Sequence, residues 1–433
     1  MSKKKVIVVG GGASGLMAAG IAAENRAETI IFEKKLRPGR KLRITGKGRC
    51  NLTNIIEIQE FLNHFASGKR FLRQAFARFF ANDLVDFFNE LGIKTDSERG
   101  GRVFPLNNDA REVVDALDAW VRRCGVTIRT RAGVESLLTK DGRIIGVQVP
   151  RETKSVIKPP YSNRSRGSRD DSKLYRADAV IVATGGLSYP ATGSTGDGYR
   201  LAGDVGHTII PTRPSLVPIK TAGDVAQQLQ GVSLKNVNAS LYVDNKKRDQ
   251  RFGEMLFTHF GLSGPIILSL SRQVVEAVQS KKKVEISFDL KPALDEQKLN
   301  KRLLRDLDKN GRQKFKTLLK ELLPRKLIPV CYQLTDINPD KIGNQISADE
   351  RRRLGRWLKD FRLEVNGFRS YDEAIITAGG ISTKEINPRT MESRIIGGLY
   401  FAGEIIDIDA DTGGYNLQAA FSTGWLAGQS ASK

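Results

Sequence analysis

The sequence predicts an α/β protein in which a Rossmann-type dinucleotide-binding domain is split by an inserted domain. Three observations predict it. A short apolar strand pattern at residues 4–9 runs into a glycine turn and then a helix. A strongly basic stretch of different texture occupies residues 190 to about 365. From Ala374 the first texture returns, with core strands that end in glycine turns. The expected division is 1–190, 191–365 and 366–433, with the outer segments forming one discontinuous domain.

The apolar run Val6-Ile7-Val8-Val9 suits a buried parallel strand. Gly10-Gly11-Gly12-Ala13-Ser14-Gly15 turns it into a helix over residues 15–23. Gly10 permits the tight turn, Gly12 lets the backbone approach a pyrophosphate, and Gly15 lets helix and strand pack closely. Ala13 and Ser14 lie at the helix N-terminus, where free N–H groups and the helix dipole favour a phosphate. Residues 29–33 read as the second strand. Glu33 ends it, placed to accept from ribose hydroxyls.

Residues 109–123 are amphipathic and helical, with Asn108 or Asp109 as N-cap. Residues 126–131, 133–139 and 144–149 read as short strands, and Val134 is a candidate cofactor contact. Residues 151–176 are polar, with Pro159-Pro160 and alternating Ser and Arg, and are expected to form a long mobile loop within a β-hairpin. The core strand at 179–184 then ends in the turn Ala183-Thr184-Gly185-Gly186, four further cofactor candidates. Within the insert, 237–243 and 284–290 read as strands. Residues 296–323 and 348–361 read as basic helices.

Composition narrows the class. Three widely spaced cysteines (Cys50, Cys124, Cys331) argue against a disulfide framework. No Cys/His cluster has metal-ligand spacing, so no metal is expected. No run reaches the roughly 18 apolar residues of a membrane span. The apolar run behind the basic N-terminus is too short for a signal peptide. The expectation is a cytoplasmic protein without a membrane role. Seventy Lys+Arg against 48 Asp+Glu gives a net charge of +22. A polyanion partner accounts for that excess through phosphate neutralisation; a generally basic, soluble surface is the alternative.

The cofactor reads as FAD. There is one dinucleotide fingerprint and no second one for a tightly held nicotinamide. A late strand ends in Gly403-Glu404, placing an acid where a ribityl–pyrophosphate would lie. Gly413-Gly414-Tyr415-Asn416-Leu417 then opens a helix whose N-terminus suits negative charge at the N1/O2 edge of a reduced flavin.

Long segments resemble the BaiN/RdsA (YhiN-like) family of flavoproteins. They are Lys41-Leu42-Arg43-Ile44-Thr45-Gly46-Lys47-Gly48-Arg49-Cys50-Asn51-Leu52-Thr53-Asn54, Gly101-Arg102-Val103-Phe104-Pro105, the 183–198 glycine-rich stretch, residues 253–265 and the 377–428 tail. The resemblance covers nearly the whole chain except residues 151–176. It implies a glutathione-reductase-like FAD domain with an inserted β-barrel and helical region. It also implies flavin redox chemistry on one of three substrates: a uridine of large-subunit ribosomal RNA, a steroid enone, or aminoacetone.

The charge favours RNA among these. Lys34, Lys35, Arg37, Arg40, Lys41, Arg43, Lys47 and Arg49 exceed what FAD phosphates need, and Lys34, Lys41, Arg49 and Asn51 are candidate cofactor contacts. Lys301, Arg305 and Arg312 on the basic helices are candidate RNA contacts, or simply a solvated face. The expected reaction is reduction of the uracil C5=C6 bond, with hydride from flavin N5 to C6 and a proton to C5. Cys50 is the first candidate acid, its alternative being a residue that packs under the flavin. His259 is the second, its alternative a loop-organising histidine. Arg102 and Tyr415 are candidate substrate contacts. The expected electron donor is a transiently docking NAD(P)H, and the partner ribosomal RNA or an assembling large subunit. An FAD-dependent small-molecule oxidoreductase and a non-enzymatic flavin-bearing RNA-binding factor remain alternatives.

Overall fold

The computed structural model describes residues 3–150 and 172–433. The chain divides into two compact units, Met1–Arg213 with Ile376–Lys433, and Pro214–Ile375.

The first unit is built on a five-stranded parallel sheet, ordered β19-β10-β1-β2-β6. Its strands are β1 (Lys5–Val9), β2 (Glu28–Glu33), β6 (Thr127–Thr130), β10 (Ala179–Val182) and β19 (Leu399–Phe401). Val6, Val8, Val180, Ile181 and Phe401 are fully buried, as expected of a parallel sheet covered on both faces. Helix α1 (Ala13–Glu24) follows β1, and α5 (Ala110–Arg123) and α13 (Tyr415–Ala431) flank it. Asp109 caps α5 by accepting from Arg111 N at 2.8 Å.

Glycines set how closely these helices approach. A Cβ on Gly15 would lie 1.9 Å from Gly10 O, and one on Gly20 would lie 2.2 Å from the Trp120 ring of α5. Gly424 and Gly428 of α13 would each put a Cβ 2.4 Å from a carbonyl of α1, those of Ser14 and Ala18. The stripe of small residues on α1 and α13 is thus a backbone-to-backbone contact.

Two small antiparallel sheets complete this unit. One is ordered β3-β5-β4, from Thr53–Asn54, Arg102–Pro105 and Thr95–Glu98. The other is ordered β7-β8-β9, from Ser136–Lys140, Arg143–Pro150 and Ser172–Arg176. Residues 172–176, expected in the loop, are therefore strand, because they pair with residues 146–150 of β8. The remaining loop residues, 151–171, lie outside the described residues. Short helices α2 (Ile58–Asn63), α3 (Lys69–Phe76) and α4 (Ala81–Glu90) bring Phe61, Phe76, Phe80 and Phe88 into an aromatic core, and α6 (Asp197–Asp204) packs Gly198 against Thr184. Strands β11 (Ile209–Ser215) and β18 (Ile376–Ile381) form a two-stranded sheet.

The second unit is a closed antiparallel barrel, ordered β12-β15-β14-β13-β16-β17, with a helical subdomain. The strands are β12 (Ile219–Thr221), β13 (Ser233–Val243), β14 (Lys246–Thr258), β15 (Gly261–Ser263), β16 (Val284–Asp289) and β17 (Phe361–Phe368). After α7 (Val225–Gln228), helix α8 (Pro265–Gln279) covers the barrel with Ile267, Leu270 and Val274. The strand expected at 284–290 and the helix expected at 348–361 are found as β16 and α12 (Ala348–Lys359).

The single helix expected over 296–323 is broken. Helix α9 spans Glu296–Lys309, and α10 covers only Phe315–Leu318. Asn310 and Gly311 close α9, and Phe315 N and Lys316 N then donate to carbonyls of Lys341 and Pro339 instead of continuing the helix. Leu299, Leu303 and Leu307 of α9 are buried, while Lys298, Lys301 and Arg305 face out. Helix α11 (Leu327–Thr335) completes the subdomain.

Gly424→Ala should force α13 away from α1 and lower stability by about 1–3 kcal/mol, the usual cost of overpacking. Denaturant unfolding followed by flavin release measures it; a loss below about 0.5 kcal/mol would show that the two helices separate freely.

Candidate functional site

The first βα turn has the geometry a pyrophosphate needs. Gly10 takes φ +101°, and a Cβ there would lie 2.6 Å from Ala183 O. Gly12 is different: no protein atom lies within 4 Å of where its Cβ would be, so its face of the turn is open. Gly12 is also the N-cap of α1, which has no side-chain cap and no acid in its first turn. The first N–H groups of α1 and its dipole thus remain available to an anion. Ala13 and Ser14 begin the helix, and Ser14 Oγ donates to Ala402 O at 3.3 Å. Glu33 accepts from Gly11 N (2.9 Å) and Lys35 N (2.7 Å), which leaves lone pairs for ribose hydroxyls. These residues fit the adenosine diphosphate half of FAD.

Lys34 reaches across to Asp197 (2.6 Å) and Thr195, joining the first turn to the glycine-rich loop before α6. That pair depresses the Asp197 carboxyl, against the cost of its burial. Val134 is buried, and neighbouring Gly133 lies against Lys34. Ala183 and Thr184 leave β10 opposite Gly10, Gly185 takes φ +71°, and Gly186 lies beside Thr377 and Glu404.

Glu404 is the hub of the second half. Its carboxylate accepts from Lys41 Nζ (2.6 Å), Ser188 Oγ (2.6 Å) and Thr377 N (2.8 Å). Lys41 also donates to Ser188 Oγ at 2.5 Å. Gly403, at φ +80°, presses on Ser14 Oγ. These contacts tie the 41–54 loop to the 403–404 turn.

Helix α13 begins at Gly414, again with no side-chain cap and no acid in its first turn. Gly413 and Gly414 take φ +137° and +95°, and a Cβ on Gly414 would lie 2.4 Å from Thr53 O. With its amide oriented to satisfy both ends, Asn51 Oδ1 accepts from Gly414 N (3.0 Å), and Nδ2 donates to Thr53 O and Val103 O. Asn416 spends its side chain on the preceding loop, bonding Ala410 N, Ala410 O and Asp411 O. Leu417 packs against the core. Tyr415 is 5% exposed, edge-on to Phe61 and stacked on His64. Burial pushes its phenol up to about 12, with Asp411 and Glu60 adding to it.

The two expected acids fare differently. Cys50 is 0% exposed. It holds φ +59°, and its N–H donates to Thr45 O. Burial pushes its thiol up to about 12. The side chain has no surface from which to meet a substrate, so the geometry supports the packing role and not the acid role. His259 is exposed in the second unit, edge-on to Phe260. Arg49 and Arg102 share Glu98 and the Phe104 ring, and Arg49 also bonds Asn108.

In the second unit, Lys301 and Arg312 have no ion-pair or hydrogen-bond partner among the described residues, and Arg305 pairs with Asp306 at 3.2 Å. The basic run on α12 is largely engaged internally. Arg353 donates to Thr335 O and Asp336 O, Lys359 binds Asp289, and Arg351 binds Asn300.

The spacing of the sequence gave no sign of Ser188 and Thr377 as partners of Glu404, or of a His64–Asp411 pair. Each joins residues far apart in the chain. Among the described residues there is no His/Cys/Asp/Glu group able to hold a metal and no helix long and apolar enough to cross a membrane.

Fold and site together define a Rossmann-type, FAD-dependent flavoprotein oxidoreductase. Residues 4–430 match the HI0933-like protein Rossmann domain, and the chain belongs to that family. It is 32% identical to a 3-dehydro-bile acid delta(4,6)-reductase of Clostridium scindens over 99% of each chain. It is 31% identical to a ribosomal RNA dihydrouridine synthase of Escherichia coli, over 99% of this chain and 98% of that one. The Haemophilus influenzae protein of the same name is 30% identical, over 99% and 98%. Among solved structures, a 3-ketosteroid delta1-dehydrogenase from Sterolibacterium denitrificans aligns over 100% of both chains, with a TM-score of 0.51 and 14% identity. That likeness concerns the fold alone.

Thiol titration of the native protein at pH 8 should modify Cys124 promptly and leave Cys50 and Cys331 untouched, with three thiols reacting after denaturation. Cys124 is half-exposed, whereas burial pushes the Cys331 thiol, like that of Cys50, up to about 12. The buried thiols stabilise the fold fully below their ordinary value of 9.0, and that contribution is lost as pH rises towards about 12. Modification of Cys50 as fast as Cys124 would restore its candidacy as an acid.

Proposed function

We propose that this protein is a cytoplasmic FAD-dependent reductase that converts a uridine of large-subunit (23S) ribosomal RNA to dihydrouridine. The observation that carries the reading is the +22 charge together with where it lies. The outward face of α9 and the turn after it present Lys301, Arg305 and Arg312 to solvent, two of them unpaired among the described residues. A small neutral substrate gives such a face no use; a phosphate backbone does. Two relatives named ribosomal RNA dihydrouridine synthase support the same substrate.

The bound, reduced flavin would supply hydride from N5, and NAD(P)H is the proposed donor of those electrons. The residues of the chain do the rest. The N-terminus of α1 and Glu33 would hold the adenosine end. Lys41, Ser188 and Glu404 fix the loops that would enclose the rest of the cofactor. The N-terminus of α13 would stabilise negative charge on the reduced ring system. The target base must leave its stack, at about a few kcal/mol, and phosphate contacts from the second unit offset that cost. Arg102, exposed on β5, is the proposed contact to the flipped nucleotide or its phosphate. Residues 151–171 add basic charge to the chain.

A second reading is favoured by the relative named a bile acid reductase. Uracil and a 3-oxo-Δ4 steroid share one reacting unit, a C=C bond conjugated to a carbonyl. Hydride adds to the β carbon and a proton to the α carbon in both.

Deletion of the gene should remove dihydrouridine from large-subunit ribosomal RNA, read by nucleoside mass spectrometry; an unchanged profile would sink the RNA reading. Replacing Lys301, Arg305 and Arg312 together by alanine should weaken RNA binding and flatten its log–log salt dependence by about 2, at roughly 0.7–0.9 per phosphate contact. An unchanged slope would place the RNA elsewhere.

A further inference from the structure

We propose that His64, oriented by Asp411, is the general acid that protonates the substrate; this rests on the alkene-reduction reading above. His64 closes α2, and Asp411 lies in the turn that leads into α13, 347 residues away in the chain. His64 Nδ1 lies 3.2 Å from Asp411 Oδ2, and Asp411 N donates back to His64 O at 3.0 Å. The imidazole lies flat on Tyr415, with ring centroids 4.1 Å apart and planes 14° apart. Asn416 holds the Ala410–Asp411 backbone through three hydrogen bonds, so the carboxylate is fixed from its own side.

This is the arrangement of an oriented acid. One ring nitrogen is bound to a carboxylate and the ring plane is held by stacking. The other nitrogen, Nε2, has no partner among the described residues. The side chain keeps 32% of its surface exposed, beside the glycine turn that opens α13. The contrast with the other candidates is in the same terms. The Cys50 thiol has no exposed surface, and Tyr415 is nearly closed off. His207 is shut in, with Ser393 at 2.8 Å and Glu385 at 3.3 Å.

The step balances simply. As hydride arrives at the β carbon of the conjugated C=C, the Nε2–H bond of the His64 imidazolium breaks and a C–H bond forms at the α carbon. For uracil these are C6 and C5. The imidazolium becomes imidazole, and solvent returns its proton through the exposed edge. Asp411 is a positioning residue that holds Nδ1–H and stabilises the charged ring.

The experiment uses the FAD-loaded protein, with flavin reduced chemically and reoxidised anaerobically by transcribed large-subunit ribosomal RNA or by a 3-oxo-Δ4 steroid. His64→Gln and His64→Phe should each slow reoxidation by about 10²–10⁴-fold, the usual worth of a general acid. Phenylalanine keeps the stack on Tyr415, so a slow His64→Phe with normal FAD absorbance and thermal stability excludes a folding defect. Flavin reduction by NAD(P)H should keep its rate in both variants. With only three histidines in the chain, the His64 ring signal can be followed by NMR in the oxidised protein, and it should shift when substrate is added. Wild-type reoxidation by RNA or steroid with a full-rate His64→Phe overturns the assignment and leaves the reductase reading standing. So does loss on His259→Gln but not on His64→Gln. Reoxidation by steroid and not RNA overturns the RNA reading, and His64 is then scored on the steroid. A wild-type flavin that neither reoxidises overturns both.

Discussion

The closeness of α1 to its neighbours is the constraint on which the rest of the first unit depends. Gly15 brings the helix onto the carbonyl of Gly10, and Gly424 and Gly428 bring α13 onto carbonyls of α1. No side chain larger than hydrogen fits at these points. The consequence is electrostatic as well as steric. Two long helices begin within one unit, each opened by a glycine without a side-chain cap and without an acid in its first turn. With glycine at the N-cap in place of a side-chain cap, each helix forgoes about a few tenths of a kcal/mol. The N–H groups so left free suit an anion such as a pyrophosphate.

A polar network around Glu404 couples those two helix ends. Lys41, Ser188 and Thr377 converge on one carboxylate from three separate segments. Asn51, in the same 41–54 loop as Lys41, closes on Gly414 N. Most of these groups are at least partly buried, where a lost partner leaves a polar group unsatisfied at about 1–3 kcal/mol. The loops that would enclose the cofactor therefore hold their shape through side chains, because glycine-rich backbone alone has too many alternatives. The same logic extends to Asn416, which holds the loop carrying Asp411.

The basic residues divide into two populations. On α12, Arg351, Arg353 and Lys359 bind a side-chain amide, carbonyls and a carboxylate of the subdomain itself. On α9 the leucines at 299, 303 and 307 take the inner face and Lys301 is left outward without a partner among the described residues. Net charge alone does not separate these populations, since a paired cation counts the same as a free one. Cations that face out without a partner, Lys301 among them, are the ones open to an anion.

The parallel strands, the glycine turn and the closing helix were legible in the sequence because each is written locally. Val6 to Val9, Gly10 to Gly15 and the small residues of α13 carry their structure in spacing and side-chain size. The barrel was less legible. Its longest strand, Lys246–Thr258, is largely polar in its first half and shows little apolar alternation there. The 296–323 helix was over-extended, because its break depends on carbonyls of Pro339 and Lys341 that lie later in the chain.

The candidate site shows the same division. The sequence by itself determined the glycine turn from Gly10 to Gly15, because close backbone approach demands glycine at set intervals. Only the tertiary structure decided which side chains can reach a substrate. Cys50 sits among suggestive neighbours in the chain yet is sealed, while His64 and Asp411, 347 residues apart, meet. Burial and through-space pairing are properties of the packed molecule, and no local spacing encodes them.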